Sequence, residues 1–312
     1  MLKPLNYVWS VLALDKGSKS SRFVKLRNKI QCIATLITNG HIFNFLKGTI
    51  YTGNLKKVCV PGLNCYSCPG ATGACPIGAF QAVVGSSKFR FSYYISGILI
   101  LLGVTFGRFI CGFFCPFGWF QDLLHKLPTK KLSTKKLKPL TYIKYVILVL
   151  IVVILPSVTA HKFGISVPYF CKYICPQGIL EGGIPLSLIN ISIKAALGIL
   201  FQWKLIILIT ILVLSIYFYR PFCKWFCPLG AFYALFNKIS LVNYTVDQNK
   251  CITCGKCKRV CKMDANICAN KNMSECIRCG DCITACPTQA ISITFIEKYQ
   301  KKKELENENK NA

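Results

Sequence analysis

Nine cysteines lie within residues 251–286, and eight of them form two runs of four. The runs read Cys251-x2-Cys254-x2-Cys257-x3-Cys261 and Cys276-x2-Cys279-x2-Cys282-x3-Cys286-Pro287. In this spacing three close thiolates hold one [4Fe–4S] cube, and the fourth cysteine of each run ligates the other cube. The runs therefore predict two clusters. Cluster 1 would be held by Cys251, Cys254, Cys257 and Cys286, and cluster 2 by Cys276, Cys279, Cys282 and Cys261.

Zinc binding and disulfide bonds are the other uses of such cysteines, and the sequence disfavours both. Zinc sites usually show paired C-x2-C spacing rather than runs of four. Disulfide frameworks suit small secreted chains, whereas this chain has 312 residues and no signal-peptide pattern. The ninth cysteine, Cys268, is left without an assigned role.

A second group of cysteines follows a repeated Cys-Pro-x-Gly module upstream. Two copies read R-x2-C-x3-C-P-x-G and begin at Arg108 and Arg220. The four modules end in Cys75-Pro76-Ile-Gly78, Cys115-Pro116-Phe-Gly118, Cys175-Pro176-Gln-Gly178 and Cys227-Pro228-Leu-Gly230. Because the copies alternate in two matching halves, the pattern indicates an internal duplication. In each module Pro favours the start of a helix, and Gly lets backbone approach a cluster closely.

Ligand counting suggests what the modules bind. A C-x3-C pair supplies two thiolates, half of what a cube needs, so two pairs related by duplication complete one cluster. The inner set is Cys111, Cys115, Cys223 and Cys227. The outer set has five candidates for four positions, namely Cys65, Cys68, Cys75, Cys171 and Cys175. Unmetallated thiols in the inner set and a disulfide in the outer set are the alternatives. No catalytic acid, base or nucleophile constellation accompanies either set.

Long apolar segments separate the modules. Residues 91–110, 142–160 and 195–219 each approach the roughly 20 residues that cross a hydrocarbon core of about 30 Å. Residues 30–46 are weaker, because Asn39, Gly40 and His41 interrupt them. A mean hydropathy of +0.44 and 53% hydrophobic residues exclude a disordered or ordinary soluble chain. The sequence predicts a membrane protein.

The chain has a net charge of +28, and the placement of its Lys and Arg predicts the membrane topology. Thirty of the 39 Lys and Arg lie in residues 1–29, in residues 108–144 and in the tail from Arg220. The positive-inside rule therefore puts both termini and the 111–144 loop in the cytoplasm, which requires an even number of spans and makes residues 30–46 the fourth. The inner set then faces the cytoplasm and the outer set faces outward. No nucleic-acid motif is present, so the charge needs no nucleic-acid partner.

These features predict an all-α polytopic membrane domain followed by a small α+β two-cluster ferredoxin domain. The membrane domain would have four spans with both ends inside. The predicted divisions are a cytoplasmic segment 1–29, the membrane domain 30–240, the ferredoxin domain 241–297 and a disordered tail 298–312. The predicted location is the cytoplasmic membrane, with the ferredoxin domain in the cytoplasm.

The C-x3-C-P modules after apolar segments, joined to the C-terminal cysteine runs, resemble the membrane polyferredoxins. They are similar to the quinol-dehydrogenase membrane subunits of periplasmic nitrate reductase systems, over roughly residues 20–290. The resemblance implies electron transfer with a quinone or an extracytoplasmic redox protein, which can bear flavin, as the far partner. The extra outer cysteines depart from the nitrate-system pattern.

The predicted function is transfer of electrons from a cytoplasmic donor, through ferredoxin and membrane clusters, to an extracytoplasmic acceptor. Such a chain is a component of an oxidoreductase system rather than a stand-alone enzyme. The alternatives are a quinol dehydrogenase that uses only the inner clusters, a redox sensor, and a metal-handling or assembly protein. Since a bilayer core is about 30 Å thick, the modules must re-enter the membrane or a further cofactor must bridge the faces.

Overall fold

The computed structural model describes residues 26–85, 93–163, 167–191, 197–268 and 274–294, and these are mostly helical. The predicted tail 298–312 and nearly all of the predicted segment 1–29 lie outside the described residues. The described part has two helical halves followed by a small region with two strands.

Each half carries a longer helix, a short cysteine-bearing helix and a helix that begins at Pro. The first half has α1 (Arg27–Thr38), α2 (Phe43–Lys47), α3 (Pro76–Val84), α4 (Tyr93–Phe106), α5 (Phe109–Phe113) and α6 (Pro116–His125). The second has α7 (Leu137–Ala160), α8 (Tyr169–Tyr173), α9 (Gly178–Ile189), α10 (Ile199–Tyr217), α11 (Pro221–Trp225) and α12 (Pro228–Phe236). The same order of elements in both halves agrees with the predicted duplication.

Among the residues that the structure describes, two helices, α7 with 24 residues and α10 with 19, are long and apolar enough to cross a membrane. The other two predicted spans contain shorter helices. Residues 30–46 are divided between α1 and α2, with the break at the Asn39–Gly40 pair. In residues 91–110, α4 ends at Phe106, before Gly107 turns the backbone with a φ of 53°. The prediction of four spans therefore stays a prediction.

The Cys-Pro pairs begin helices as the sequence predicts. Pro116 and Pro228 are the first residues of α6 and α12, where the missing N–H costs nothing and the fixed φ suits the helix. The cysteine before each Pro is extended, with ψ of 115° at Cys115 and 112° at Cys227. This geometry follows from the clash that a Pro ring makes with a helical preceding residue. At Cys227 the thiol caps the helix, because its Sγ accepts from the N–H of Gly230 at 3.3 Å.

The C-terminal region is small and contains both helix and strand. Strand β1 (Asn243–Val246) pairs antiparallel with β2 (Ile291–Thr294), which joins the two ends of the region. Helices α13 (Lys256–Val260) and α14 (Asp281–Ala285) lie between them. Each follows a glycine with positive φ, 68° at Gly255 and 87° at Gly280, a conformation that a side chain disfavours.

Candidate iron–sulfur sites

The cysteines predicted for cluster 1 surround one cavity in the C-terminal region. Cys251, Cys254, Cys257 and Cys286 line a space of about 210 Å³. Cys268 lines it as well, and its Sγ lies 3.3 Å from the Sγ of Cys257. Cys254 and Cys268 are exposed. Five thiols therefore surround this cavity, and the assignment of four as ligands stays a prediction.

The cysteines predicted for cluster 2 lie deeper, toward the helical halves. Burial, followed by the charges of Cys279, Cys276 and Cys261, raises the pKa of Cys282 well above its usual value, so all four thiols lie close together. Cys257 also contributes to this shift and thus connects the region to cluster 1. Cys261 and Cys279 pack against the apolar core of the helical halves. The cluster 2 set lies between the cluster 1 set and the helical halves.

The inner set forms a buried group of four thiols where the two halves meet. Cys111, Cys115, Cys223 and Cys227 are each less than a tenth exposed. Burial, followed by the charges of Cys223 and Cys111, raises the pKa of Cys115 to about 12. Burial and then Cys223, Cys111 and Cys115 raise the pKa of Cys227 as well. Thiols with such pKa values stay protonated at neutral pH unless a bound cation such as cluster iron stabilises the thiolates.

The two arginines of the R-x2-C modules exchange contacts between the halves. Arg108 donates from Nη2 to the carbonyl of Cys223 at 3.2 Å, and Arg220 donates to the carbonyl of Cys111. Both arginines are fully buried. Neither guanidinium group reaches the surface of the protein. Gln121 adds a contact that the sequence did not reveal, since its Nε2 donates to the Sγ of Cys223 at 3.0 Å.

The outer set is divided by the structure. A cavity of about 440 Å³ is lined by Cys65, Cys75, Cys171 and Cys175, but not by Cys68. The Sγ of Cys68 lies instead 3.6 Å from Oδ1 of Asn39. The duplication would place a cysteine at position 71, where the chain has Ala, and Cys65 supplies the fourth thiol. Four of the five candidates therefore meet at one cavity.

Two lysines lie at or near the outer cavity. The half-buried Lys204 lines it and donates from Nζ to the carbonyl of Cys171 at 3.2 Å. Lys56 is 4% exposed, its Nζ donates to the carbonyl of Ala71 at 2.9 Å, and its charge interacts with Cys68 and Cys65. A cube held by four thiolates is an anion, so nearby cations reduce the cost of burying it.

One short stretch, residues 61–64, contacts both the inner and the outer set. The backbone N–H of Leu63 bonds the thiol of Cys115, and the next one, of Asn64, bonds the thiol of Cys75. A Cβ added to Gly62 would lie 2.8 Å from the Cα of Cys115, so only glycine allows this approach. The loop that carries the outer set thus folds against the inner set, and the two sets lie much closer together than the roughly 30 Å thickness of a bilayer core.

Tyr233 lies beside the same stretch. It is fully buried, and its hydroxyl donates to the carbonyl of Pro61 at 2.9 Å. Burial, and then nearby thiols of both sets, raises its pKa far above the usual value. Gln121 and Tyr233 occupy equivalent positions, six residues after Cys115 and Cys227. That equivalence is a signal in the repeat that could have identified both residues.

Ion pairs attach the C-terminal region to the helical halves. Glu275 accepts from Nζ of Lys144 at 2.6 Å and from Nη1 of Arg108 at 2.8 Å. Asp264 pairs with Lys224 in the same way. Beside the interface Asp122 is shared by Arg27 and Arg220. These carboxylates are conspicuous in a chain with only 11 Asp and Glu, which is the sequence signal for them.

The donor sets fit cubes better than single metal ions. Among the residues that the structure describes, no three His, Cys, Asp or Glu side chains are grouped as ligands of one ion. A cube instead takes one thiolate at each of four separate irons, so its ligands surround a volume. The cluster 1 cavity, with five cysteines in its wall, and the outer cavity, with four, match that requirement.

Comparison with known proteins gives matches along most of the chain. Two family models match, and both are described as a 4Fe-4S binding domain. One matches residues 73–94, 91–135, 145–184 and 200–243, and the other matches residues 244–265 and 269–292. The first model covers the Cys-Pro modules, and the second covers the two cysteine runs. No solved structure matches the chain.

Several curated proteins are similar. An uncharacterized protein of Methanocaldococcus jannaschii is 32% identical over 208 residues, covering 64% of this chain and 76% of that protein. The methylamine utilization ferredoxin-type protein MauN of Paracoccus denitrificans is 27% identical over 60% of this chain and 56% of its own length. The regulatory protein NosR of Pseudomonas aeruginosa is 28% identical over 57% of this chain and 24% of its own length.

Proposed function

The chain belongs to the 4Fe-4S ferredoxin-type proteins and is a polyferredoxin-like electron-transfer protein, and on this premise we propose that it conducts electrons from a cytoplasmic donor across the membrane to an extracytoplasmic acceptor. The acceptor is a quinone or a redox protein, which can bear flavin. The lipid bilayer is the third partner, and nucleic acid is not one.

The proposed electron-transfer route has four redox sites. Cluster 1 receives the electron, because Cys254 in its ligand set is exposed to a soluble donor. Cluster 2 follows, since its cysteines pack against both the cluster 1 set and the apolar core that contains the inner set. The inner and outer sets complete the route. A [4Fe–4S] cube would supply one-electron redox chemistry at each of these sites.

The single observation that carries the proposal is the contact of residues 61–64 with both sets. Leu63 and Asn64 are consecutive residues, yet their N–H groups bond thiols of different sets. Such proximity supports direct transfer between the inner and outer clusters without an additional cofactor. The proposed outer ligands are Cys65, Cys75, Cys171 and Cys175, with Cys68 outside the set.

The membrane placement and the domain limits belong to the proposal. We infer four membrane segments in a domain of residues 30–240, with the ferredoxin domain at 241–297 in the cytoplasm. Helices α7 and α10 support two of the segments by length. The excess of Lys and Arg around the inner set supports the orientation. The short α4 would cross only together with the re-entrant loop beside it.

The chain's own residues prepare each site. Backbone N–H groups after each Cys-Pro pair, such as that of Gly230 to Cys227 at 3.3 Å, stabilise thiolate charge. Arg108 and Arg220 hold the two C-x3-C pairs of the inner set in register. Aromatic and aliphatic side chains around the inner set exclude water, which keeps cluster potentials sensitive to these nearby charges.

Iron and acid-labile sulfide counts on anaerobically purified protein test the number of clusters. Four cubes predict about 16 Fe per chain, three about 12, and the ferredoxin clusters alone about 8. Low-temperature EPR then assigns the spins. A count near 8 contradicts the membrane clusters and with them the proposed route.

Transfer across the bilayer is tested in proteoliposomes. Ferredoxin-outward vesicles receive a membrane-impermeant reductant outside and hold an impermeant acceptor inside. We expect wild type to reduce the trapped acceptor, and we expect C171S/C175S to abolish this while cluster 1 and cluster 2 remain reducible. If C171S/C175S conducts normally, the quinol-dehydrogenase alternative with only inner clusters is correct.

A regulatory role is the second candidate, because NosR, one of the similar proteins, is named a regulatory protein. A sensor would respond to the redox state of its clusters without sustained turnover. Continuous reduction of the trapped acceptor over many equivalents per chain supports conduction. A single equivalent per cluster and then arrest supports the sensor.

A further inference from the structure

A basic pocket lies outside all four cysteine sets, between the helical halves and the ferredoxin region. It has a volume of about 470 Å³. Its walls come from the start of α1, the end of α6 and the loop after it, Tyr219 just after α10, the turn after Cys261 and the start of α14. Because it opens where α6 and α10 end, it lies at the level expected for phospholipid headgroups on the ferredoxin side.

Positive charge dominates this basic pocket. Lys126, Lys131 and Lys262 line it and are exposed. The buried Arg27 forms part of its wall and pairs with Asp122, but that carboxylate also pairs with Arg220. Two guanidinium groups therefore share one carboxylate.

Asp281, the second acidic residue of the pocket wall, does not balance the positive charge of the three lysines. Asp281 lies 3.7 Å from Nζ of Lys262 and 4.0 Å from Arg27, so it offsets about one of these cations. Lys126 and Lys131 are left without a carboxylate partner in the pocket wall. The pocket therefore attracts an anion.

His125 adds a neutral hydrogen-bonding group to the pocket wall. Its Nδ1 is buried and has no hydrogen-bond partner among the residues that the structure describes. Its ring also bonds the backbone of Ser215, and burial, followed by the charge of Lys131, lowers its pKa. In a neutral ring bonded in this way, Nδ1 is left as an acceptor. This nitrogen is closed off from solvent and does not reach a ligand in the pocket, so the lysines determine what binds.

We propose that this pocket binds a phosphate group. The two sources of that chemistry are the headgroup of an anionic phospholipid such as phosphatidylglycerol and free hydrogen phosphate. Basic pockets at helix ends on the cytoplasmic side bind anionic headgroups in this manner. Arg27 is close enough to Cys279 for their charges to interact, so the bound anion lies beside the cluster 2 set.

Binding is measured on the full chain in nanodiscs of phosphatidylcholine containing increasing phosphatidylglycerol, by native mass spectrometry of retained lipid. K126Q/K262Q is compared with K130Q, which removes an exposed lysine of the same loop outside the pocket. We expect the double variant to hold phosphatidylglycerol roughly thirtyfold more weakly, and K130Q to match wild type. Unchanged iron content verifies that each variant is folded.

A second arm separates the two sources. Inorganic phosphate is added to protein in neutral detergent, and its binding is followed by calorimetry. Retention of phosphatidylglycerol that millimolar phosphate does not displace assigns the site to lipid, while saturable phosphate binding that K126Q/K262Q abolishes assigns it to the soluble anion. Equal binding of both probes to wild type and K126Q/K262Q overturns the proposal.

Discussion

Arg220 donates a hydrogen bond to the carbonyl of Cys111, which lies 109 positions earlier in the chain. The duplicated arginine, Arg108, does the same to Cys223. Each of these hydrogen bonds lies beside the glycine of a Cys-Pro-x-Gly module, Gly118 for Arg220 and Gly230 for Arg108. A Cβ at Gly118 would lie 3.0 Å from Nη1 of Arg220 and equally close to the carbonyl of Cys111. The module's glycine therefore makes room for the arginine of the other half, and not only for a cluster.

Replacing Gly118 with Ala should damage the inner set. The added methyl group must displace a buried arginine or a buried carbonyl, and overpacking of this kind costs about 1–3 kcal/mol. We expect G118A to lower the melting temperature and the iron content by about 4 Fe per chain. The matched control is G97A, because nothing lies within 4 Å of the new Cβ at that position. Replacing Gly with Ala inside a helix should increase the free energy of unfolding by about 0.5–1 kcal/mol. Equal behaviour of G118A and G97A would contradict the packing argument.

Cys65 and Cys68 should differ sharply although both belong to one short loop. C65S removes a thiol from the outer cavity and should lose about 4 Fe per chain if that cavity holds a cube. C68S removes a thiol that lies beside Asn39 and not on the cavity, so its iron content should match wild type. Iron and sulfide counts on the two variants decide the point. Loss of iron in C68S alone would reverse the proposed ligand set.

Glu275 should hold the ferredoxin region in place. In E275Q the buried Arg108 and Lys144 lose their shared carboxylate, and leaving buried charges unpaired costs about 3 kcal/mol. We expect faster proteolysis between the helical halves and the ferredoxin region. D247N is the control, since Asp247 pairs with Lys250 at the surface, where an ion pair contributes less than about 1 kcal/mol. Similar proteolysis of the two variants would exclude this role for Glu275.

The same carboxylate predicts a dependence on pH. Burial opposes ionisation, but Arg108 and Lys144 lower the pKa of Glu275 below its ordinary value. Its stabilising effect is therefore complete above the ordinary glutamate pKa of about 4.3 and is lost as pH falls through the lower folded value. The difference in protease resistance between wild type and E275Q should narrow below about pH 4.3. A difference that stays constant down to pH 3 would show that Glu275 acts in another way.

Tyr233 should affect transfer between the inner and outer sets without affecting their assembly. Y233F removes the hydrogen bond to Pro61 and should loosen residues 61–64 at a cost of about 1 kcal/mol. We expect unchanged iron content and severalfold slower reduction of the outer cluster after the inner one, measured by rapid-freeze EPR. Y142F, which alters an exposed tyrosine, is the control. A rate equal to that of Y142F would mean that the hydrogen bond between Tyr233 and Pro61 does not affect electron transfer.

The chemistry of the chain could be predicted from the sequence alone because cluster ligands lie close together along it. C-x2-C and C-x3-C spacings let one loop surround a cube, so the cysteine runs and the duplicated modules indicate [4Fe–4S] binding before any fold is known. The predictions from the apolar segments and from the distribution of Lys and Arg likewise depend only on local composition. The first residues of α6 and α12 follow from Pro116 and Pro228 for the same reason.

Tertiary structure decided what depends on contacts between distant residues. Cys65 rather than Cys68 lines the outer cavity because of how its loop folds against the segment around Cys171 and Cys175, more than 100 positions away. The approach of residues 61–64 to Cys115 and the pairing of Glu275 with Lys144 are equally remote in sequence. No spacing rule encodes such contacts, since they arise only when packing of the two halves brings buried groups together.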